Sequence, residues 1–238
     1  MRLYAYCLSD ELRGGMLEDV AGVSDRTPRL LEFGLVAVAV SDFEGERVTV
    51  ERENVFAHER VVQRVLRHVT PLPFRFGTLS TREKLSEYVE ANRARLIESL
   101  ERVRGSVEMS VKIIWDTAAS EKEMEDAGGK GEDEAEATGK GAAYLAARRR
   151  ALLGDELRKE RAVELGEWLG NLVGDAAVDS NVEVRALESM VVRAAFLVRR
   201  EWLDDYQERI NEARVQRSDL RFLTSGPWPP YSFSYINP

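Results

Sequence analysis

The chain has 238 residues, 44% hydrophobic and 32% charged, enough for one large or two small globular domains. A net charge of −8 and a pI near 5.1 argue against a general nucleic-acid role. The single cysteine, Cys7, excludes an internal disulfide and any multi-cysteine metal site. Met1 leads into an apolar run with no signal-peptide pattern, and the longest apolar stretch, Phe33–Val40, is far below the roughly 20 residues of a membrane helix. The expectation is a soluble, cytoplasmic protein with no membrane partner.

Arg2–Leu8 is apolar on both faces, the pattern of a buried central strand, which makes Cys7 a buried, inert thiol. Ser9–Thr27 is polar and glycine-bearing, a loop with a short helix. Leu35–Val40 is a second strand apolar on both faces, and Val48–Val50 suits a short third one after the turn at Gly45. Asn54 reads as the N-cap of a helix with Val55, Val61, Val62, Val65, Leu66 and Val69 along one side, stopped by Thr70-Pro71. Leu72–Thr78 is extended, and Pro73 places it at a sheet edge or in a loop. Ser80 and Glu83 form a capping box that opens a helix carrying Leu85, Tyr88, Val89, Leu96, Leu100 and Val103, closed by Gly105.

Val107–Trp115 alternates cleanly and is the strongest strand signal in the chain. Glu121–Glu136 holds eight acidic residues and two lysines, so residues 118–138 read as an acidic, mobile surface loop. Gly141–Val173 is helical, with a bend near Gly154 where the apolar stripe loses phase. Val182–Ala186 and Met190–Val198 are strands joined by a turn at Glu188-Ser189. Glu201–Val215 is a helix with Leu203, Tyr206 and Ile210 inward, and Leu220–Leu223 is a last short strand.

The order from Val107 onward is the βαββαβ of a ferredoxin-like unit. The fold class is therefore α+β in two domains, 1–104 and 105–225, followed by an extended tail at 226–238. That tail opens with Gly226-Pro227-Trp228-Pro229-Pro230-Tyr231-Ser232-Phe233, which excludes helix and makes a poor central strand. It reads as a clasp packed on its own domain, in preference to a PxxP ligand for a partner's groove, because aromatics at this density rarely stay solvated.

Catalytic signals are weak. His58-Glu59 begins like a metalloprotease helix, but Val62 stands where the second histidine belongs, and His68 is ten residues on and about 15 Å away along a helix. Both read as ordinary surface or boundary histidines. Gly139-Lys140-Gly141 lacks the rest of a phosphate loop, and no nucleophile elbow exists. Arg75, between Phe74 and Phe76, suits an anion, an aromatic partner or a carboxylate of its own domain. No catalytic residue, metal or cofactor is expected. The rival class is an enzyme or small-ligand binder on the ferredoxin-like scaffold, using His58, Glu59 and Arg75.

Several runs, in order, resemble the GvpL/GvpF family of gas-vesicle accessory proteins. They are Leu3-Tyr4-Ala5-Tyr6, Leu35–Ser41, His58–Val62, Leu72-Pro73-Phe74-Arg75-Phe76-Gly77-Thr78, Glu108–Lys112, Gly141–Leu145 and Gly226–Phe233. The resemblance implies two α+β domains, the second a modified ferredoxin-like one, and a non-enzymatic role in vesicle assembly. It implies as partner the small, very hydrophobic major shell protein, kept from aggregating and helped to start the shell, with other accessory proteins as further contacts. Chain length inclines the reading to the GvpF branch. The candidate contact residues are Phe74, Arg75 and Phe76 at the Pro73-broken edge, with Trp228, Tyr231 and Phe233 in the tail.

Overall fold

The computed structural model describes residues 2–114, 156, 159–185, 191–234 and 236. Contacts divide the chain into a first unit (residues 1–109, 197–202 and 226–238) and a second (110–196 and 203–225).

In the first unit β1 (Arg2–Ser9) is the central strand, buried from Leu3 onward as its two apolar faces demand. β2 (Arg29–Phe33) pairs with β3 (Val36–Phe43), which runs antiparallel to β1 with a bulge between Ala5 and Cys7. On its other side β1 holds two short pieces, β4 (Leu72–Pro73) and β5 (Leu79–Ser80). Pro73 thus sits at an edge, as expected. β2 was not foreseen: it is an outer strand with one buried leucine, Leu31, too short to show alternation. Gly34, at φ +67°, makes the tight turn into β3. Val48–Val50 forms no strand, and Val50 stands exposed.

The first helix, α1, spans Arg52–Leu66 and buries Ala57, His58, Val61, Val62, Val65 and Leu66. Its N-cap is Glu51, not Asn54. Asn54 instead ties two loops together: its Nδ2 donates to Thr49 O at 3.2 Å, and its Oδ1 accepts the Ser24 N–H at 3.3 Å. Thr81, not Ser80, caps α2 (Arg82–Ala91) by accepting the Lys84 N–H, because Ser80 is already paired with Leu3 in the sheet. The single helix expected to run to Val103 breaks at Asn92, leaving α3 as Arg93–Val103. Asn92 Nδ2 donates to Tyr88 O at 2.8 Å, and so satisfies a carbonyl at the end of α2. Gly105, at φ +69°, ends α3 where its position implied.

β6 (Ser106–Ile114) buries Val107, Met109, Val111 and Ile113, the alternation seen in sequence. Trp115, the acidic loop, Gly154 and the Glu188-Ser189 turn lie outside the described residues. In the second unit α4 (residues 159–173) buries Ala162, Leu165, Leu169 and Val173. β7 (Asp179–Arg185), β8 (Val191–Arg199), α5 (Leu203–Gln216) and β9 (Arg221–Trp228) follow, and the strands order as β7-β8-β6-β9. Tyr206 and Ile210 point inward on α5, as their spacing implied, with Ala213 beside them.

β9 is longer than expected. It continues through Pro227 to Trp228, which an edge strand tolerates because its outer N–H groups need no partner. Beyond it the chain turns instead of running on extended: Tyr231 N–H donates to Pro229 O at 2.7 Å and Phe233 N–H to Pro230 O at 3.2 Å.

Gly226 lies within β9 at φ +130°, and a Cβ there would lie 2.8 Å from Met109 Sδ and 2.9 Å from Glu108 O. Gly226→Ala is expected to cost about 2 kcal/mol or more in urea unfolding, from strain and the backbone clash together. A loss under about 0.5 kcal/mol, the size of an ordinary surface change, would contradict this packing.

Candidate functional site

Helical spacing puts His58 on the same face of α1 as Val61, Val62 and Val65, so it is carried into the core of the first unit. Its imidazole stacks on the Tyr6 ring at 5.8 Å and meets Tyr4 and Phe76 edge-on at 5.6 and 6.0 Å. Nδ1 lies 2.8 Å from Tyr4 Oη and Nε2 lies 3.1 Å from Tyr231 Oη. Tyr4 Oη also accepts the Gly77 N–H at 3.1 Å, which directs its own proton to Nδ1. The network therefore assigns His58 the Nε2–H tautomer, donating to Tyr231. Burial lowers the His58 pKa to about 4, so the ring is neutral near pH 7. Alongside, Tyr6 Oη bonds Ser41 Oγ at 2.9 Å and accepts the Val23 N–H at 2.8 Å.

Tyr231 belongs to the tail, and the rest of the tail is tied down with it. Ser232 donates from its N–H and its Oγ to the two carboxylate oxygens of Glu108, at 2.7 and 2.8 Å. Burial raises the Glu108 pKa, and the two donated bonds oppose that rise. Gln63 Nε2 donates to Pro227 O at 3.3 Å, and Ser234 Oγ donates to Pro230 O at 2.6 Å. Phe233 and Ile236 are buried, each contributing about 2 kcal/mol of apolar transfer energy. The segment is a clasp on its own unit.

This arrangement corrects the reading of His58 as a surface or boundary residue: it is only 3% exposed. The available signal was its position three residues before Val61 on an apolar stripe. His68 is exposed, as expected. Phe74, expected at an open edge, is wholly buried, with its N–H bonded to Tyr6 O at 2.9 Å. Phe76 is half-buried against Tyr4 and His58, Phe233 is buried, and Trp228 is half-buried. Phe74, Phe76 and Phe233 are packed into the first unit. Pro73 draws the chain against β1 and turns the Phe74 side chain inward.

Arg75 and Tyr231 differ from the other four. Both are exposed, and both line a cleft of about 540 Å³ with Pro73, Tyr88, Asn92, Arg95, Ser234 and Ile236. His58 and Glu59 are not among its lining residues, so the trio His58, Glu59 and Arg75 is not assembled there. Burial pushes the Cys7 thiol well above its usual range, as an inert core cysteine requires. Among the described residues no group of three His, Cys, Asp or Glu side chains is placed to hold a metal. No described helix is long and apolar enough to cross a membrane.

The chain matches the family model of the gas vesicle synthesis proteins GvpL/GvpF over residues 2–235. It belongs to that family, whose members are gas-vesicle accessory proteins. It is 26% identical to Gas vesicle protein L of Streptomyces sp. over 98% of this chain and 92% of that one. It is 23% identical to Gas vesicle protein F1 of Halobacterium salinarum, over 92% of this chain and 87% of that one. The crystal structure of GvpF from Anabaena sp. superposes with a TM-score of 0.80 at 21% identity, covering 99% of this chain and 97% of that one. GvpF from Microcystis aeruginosa gives 0.74 at 20% identity, covering 99% of each chain. These two structures share the mixed helix and sheet fold.

The relay makes stability depend on pH with a defined sign. The folded His58 pKa lies below the ordinary 6.5, so its contribution is complete above about pH 6.5 and is lost as pH falls through about 4. The full loss is about 3 kcal/mol. Glu108 acts in the opposite sense, because its folded pKa is raised. Comparing wild type with His58→Gln isolates the histidine: the wild-type advantage in urea unfolding should shrink steadily between pH 6.5 and 4. A constant difference would refute the neutral, buried imidazole.

Proposed function

We propose that this chain is a minor gas-vesicle component and assembly factor that binds the hydrophobic major shell protein and limits its aggregation while the shell is started. The observation that carries the reading is the family match over residues 2–235, nearly the whole chain. A cytoplasmic, vesicle-associated location goes with that role. The second half, residues 105–225, is read as a modified ferredoxin-like domain. Its strand order β7-β8-β6-β9 supports this, being the order that a βαββαβ unit makes when its outer strands flank the inner pair.

A partner of this kind needs a binding surface and not an activated nucleophile. Contact through the first unit falls to the exposed members of the candidate set, Arg75 and Tyr231, since Phe74 and Phe233 are buried. Other vesicle accessory proteins are further partners in this reading.

The test is co-expression with the major shell protein in a host without vesicle genes. The expected outcome is soluble shell protein that co-purifies with this chain. Shell protein that stays in the pellet in the same proportion with and without this chain would overturn the binding role.

A further inference from the structure

We propose that the cleft between Arg75 and Arg95 is a receptor for a carboxylate of a partner polypeptide, either an acidic side chain or a free chain terminus. The cleft is lined by two arginines, two tyrosines, an asparagine and a serine, and among the described residues no acidic side chain lines it. Its volume of about 540 Å³ is in the range of ligand-holding clefts, roughly 300–1,000 Å³.

Arg75 is the anchor, because its backbone is fixed while its guanidinium is uncommitted among the described residues. On one side Phe74 is buried and bonded to Tyr6 O. On the other, Thr78 donates to Arg75 O from both its N–H, at 3.2 Å, and its Oγ1, at 2.7 Å. The Arg75 side chain makes no ion pair or hydrogen bond with any described residue. A planar guanidinium fork matches a carboxylate with two parallel hydrogen bonds, and little entropy is lost when its root is already rigid.

The opposite wall is the tail, also fixed: Tyr231 by His58, and Ser234 by Pro230 O. Pro73 and Ile236 add apolar surface for the methylene stem beside a carboxylate. Phosphate would find the same donors but not a use for that apolar wall. The inference does not depend on which vesicle component is bound.

The test is calorimetric titration of the full chain with acetyl-Gly-Leu-Glu carrying a free terminus, against acetyl-Gly-Leu-Gln amide and against inorganic phosphate. The acidic peptide should bind with a Kd below about 1 mM, and the neutral one should not. Arg75→Gln should weaken binding at least fivefold, and Arg75→Lys less. The exposed, unpaired position of Arg75 makes these variants fold as wild type, which far-UV circular dichroism checks. Equal binding of the neutral peptide, no binding of the acidic one, or an unchanged Kd in Arg75→Gln would overturn the proposal. Phosphate binding tighter than the acidic peptide would overturn the carboxylate assignment. Failure here leaves the shell-protein co-purification result unaffected, so the two readings fail separately.

Discussion

The hydrogen bond from His58 to Tyr231 is the constraint on which the first unit depends. A neutral imidazole has one donor and one acceptor, and a buried one must satisfy both at a cost of about 1–3 kcal/mol for each left open. Here the acceptor is served by Tyr4 on the first strand and the donor by Tyr231, close to the C-terminus. A residue in the first helix thus needs both distant ends of the chain to be in place. The Glu108–Ser232 pair imposes the same requirement, since its carboxylate is buried and, among the described residues, accepts only from the tail. The clasp is therefore specified by polar satisfaction as well as by the apolar burial of Phe233 and Ile236.

Much of the fold was legible because burial writes a period into sequence. β1 and β3 show two apolar faces, β6 shows strict alternation, and α1 shows its stripe, and each appears where its pattern placed it. Three of the misses share one cause, which is polar side chains choosing between local partners. Asn54 was a plausible cap by type, but loop carbonyls and amides took its side chain. Ser80 lost its capping role to Thr81 because the sheet took its backbone first. Asn92 broke a helix whose apolar positions run on in phase, by bonding back to Tyr88 O. Such competition is decided by tertiary contacts that no local pattern encodes.

The candidate site was half legible for a related reason. Arg75 stood out as a cation between aromatics, and it does line the cleft. The buried relay of His58 leaves no local signal, because its tyrosine partners lie 54 and 173 residues away in sequence. Phe74, read as a contact residue at an open edge, is core, while Phe233 is buried as the clasp reading of the tail requires. Aromatic density in sequence signals burial; which aromatics remain outside depends on the path of the chain. At Pro73 that path turns Phe74 inward and leaves Arg75 as the outward residue.

Cleft and clasp share three residues, Tyr231, Ser234 and Ile236, and this couples them. Tyr231 serves both, since its hydroxyl meets His58 while the residue stays exposed and lines the cleft. Undocking the tail would remove Tyr231, Ser234 and Ile236 from the cleft together and leave the arginines on an open surface. A ligand held between the two walls consequently favours the docked tail by RT ln(1 + [L]/Kd), and a docked tail raises the affinity for that ligand by the same free energy. Acid acts against both at the histidine, because protonating His58 places an unpaired charge where the fold has prepared only a neutral ring. The small buried relay is thus one of the contacts, with Glu108–Ser232 and the burial of Phe233 and Ile236, that keep the cleft complete.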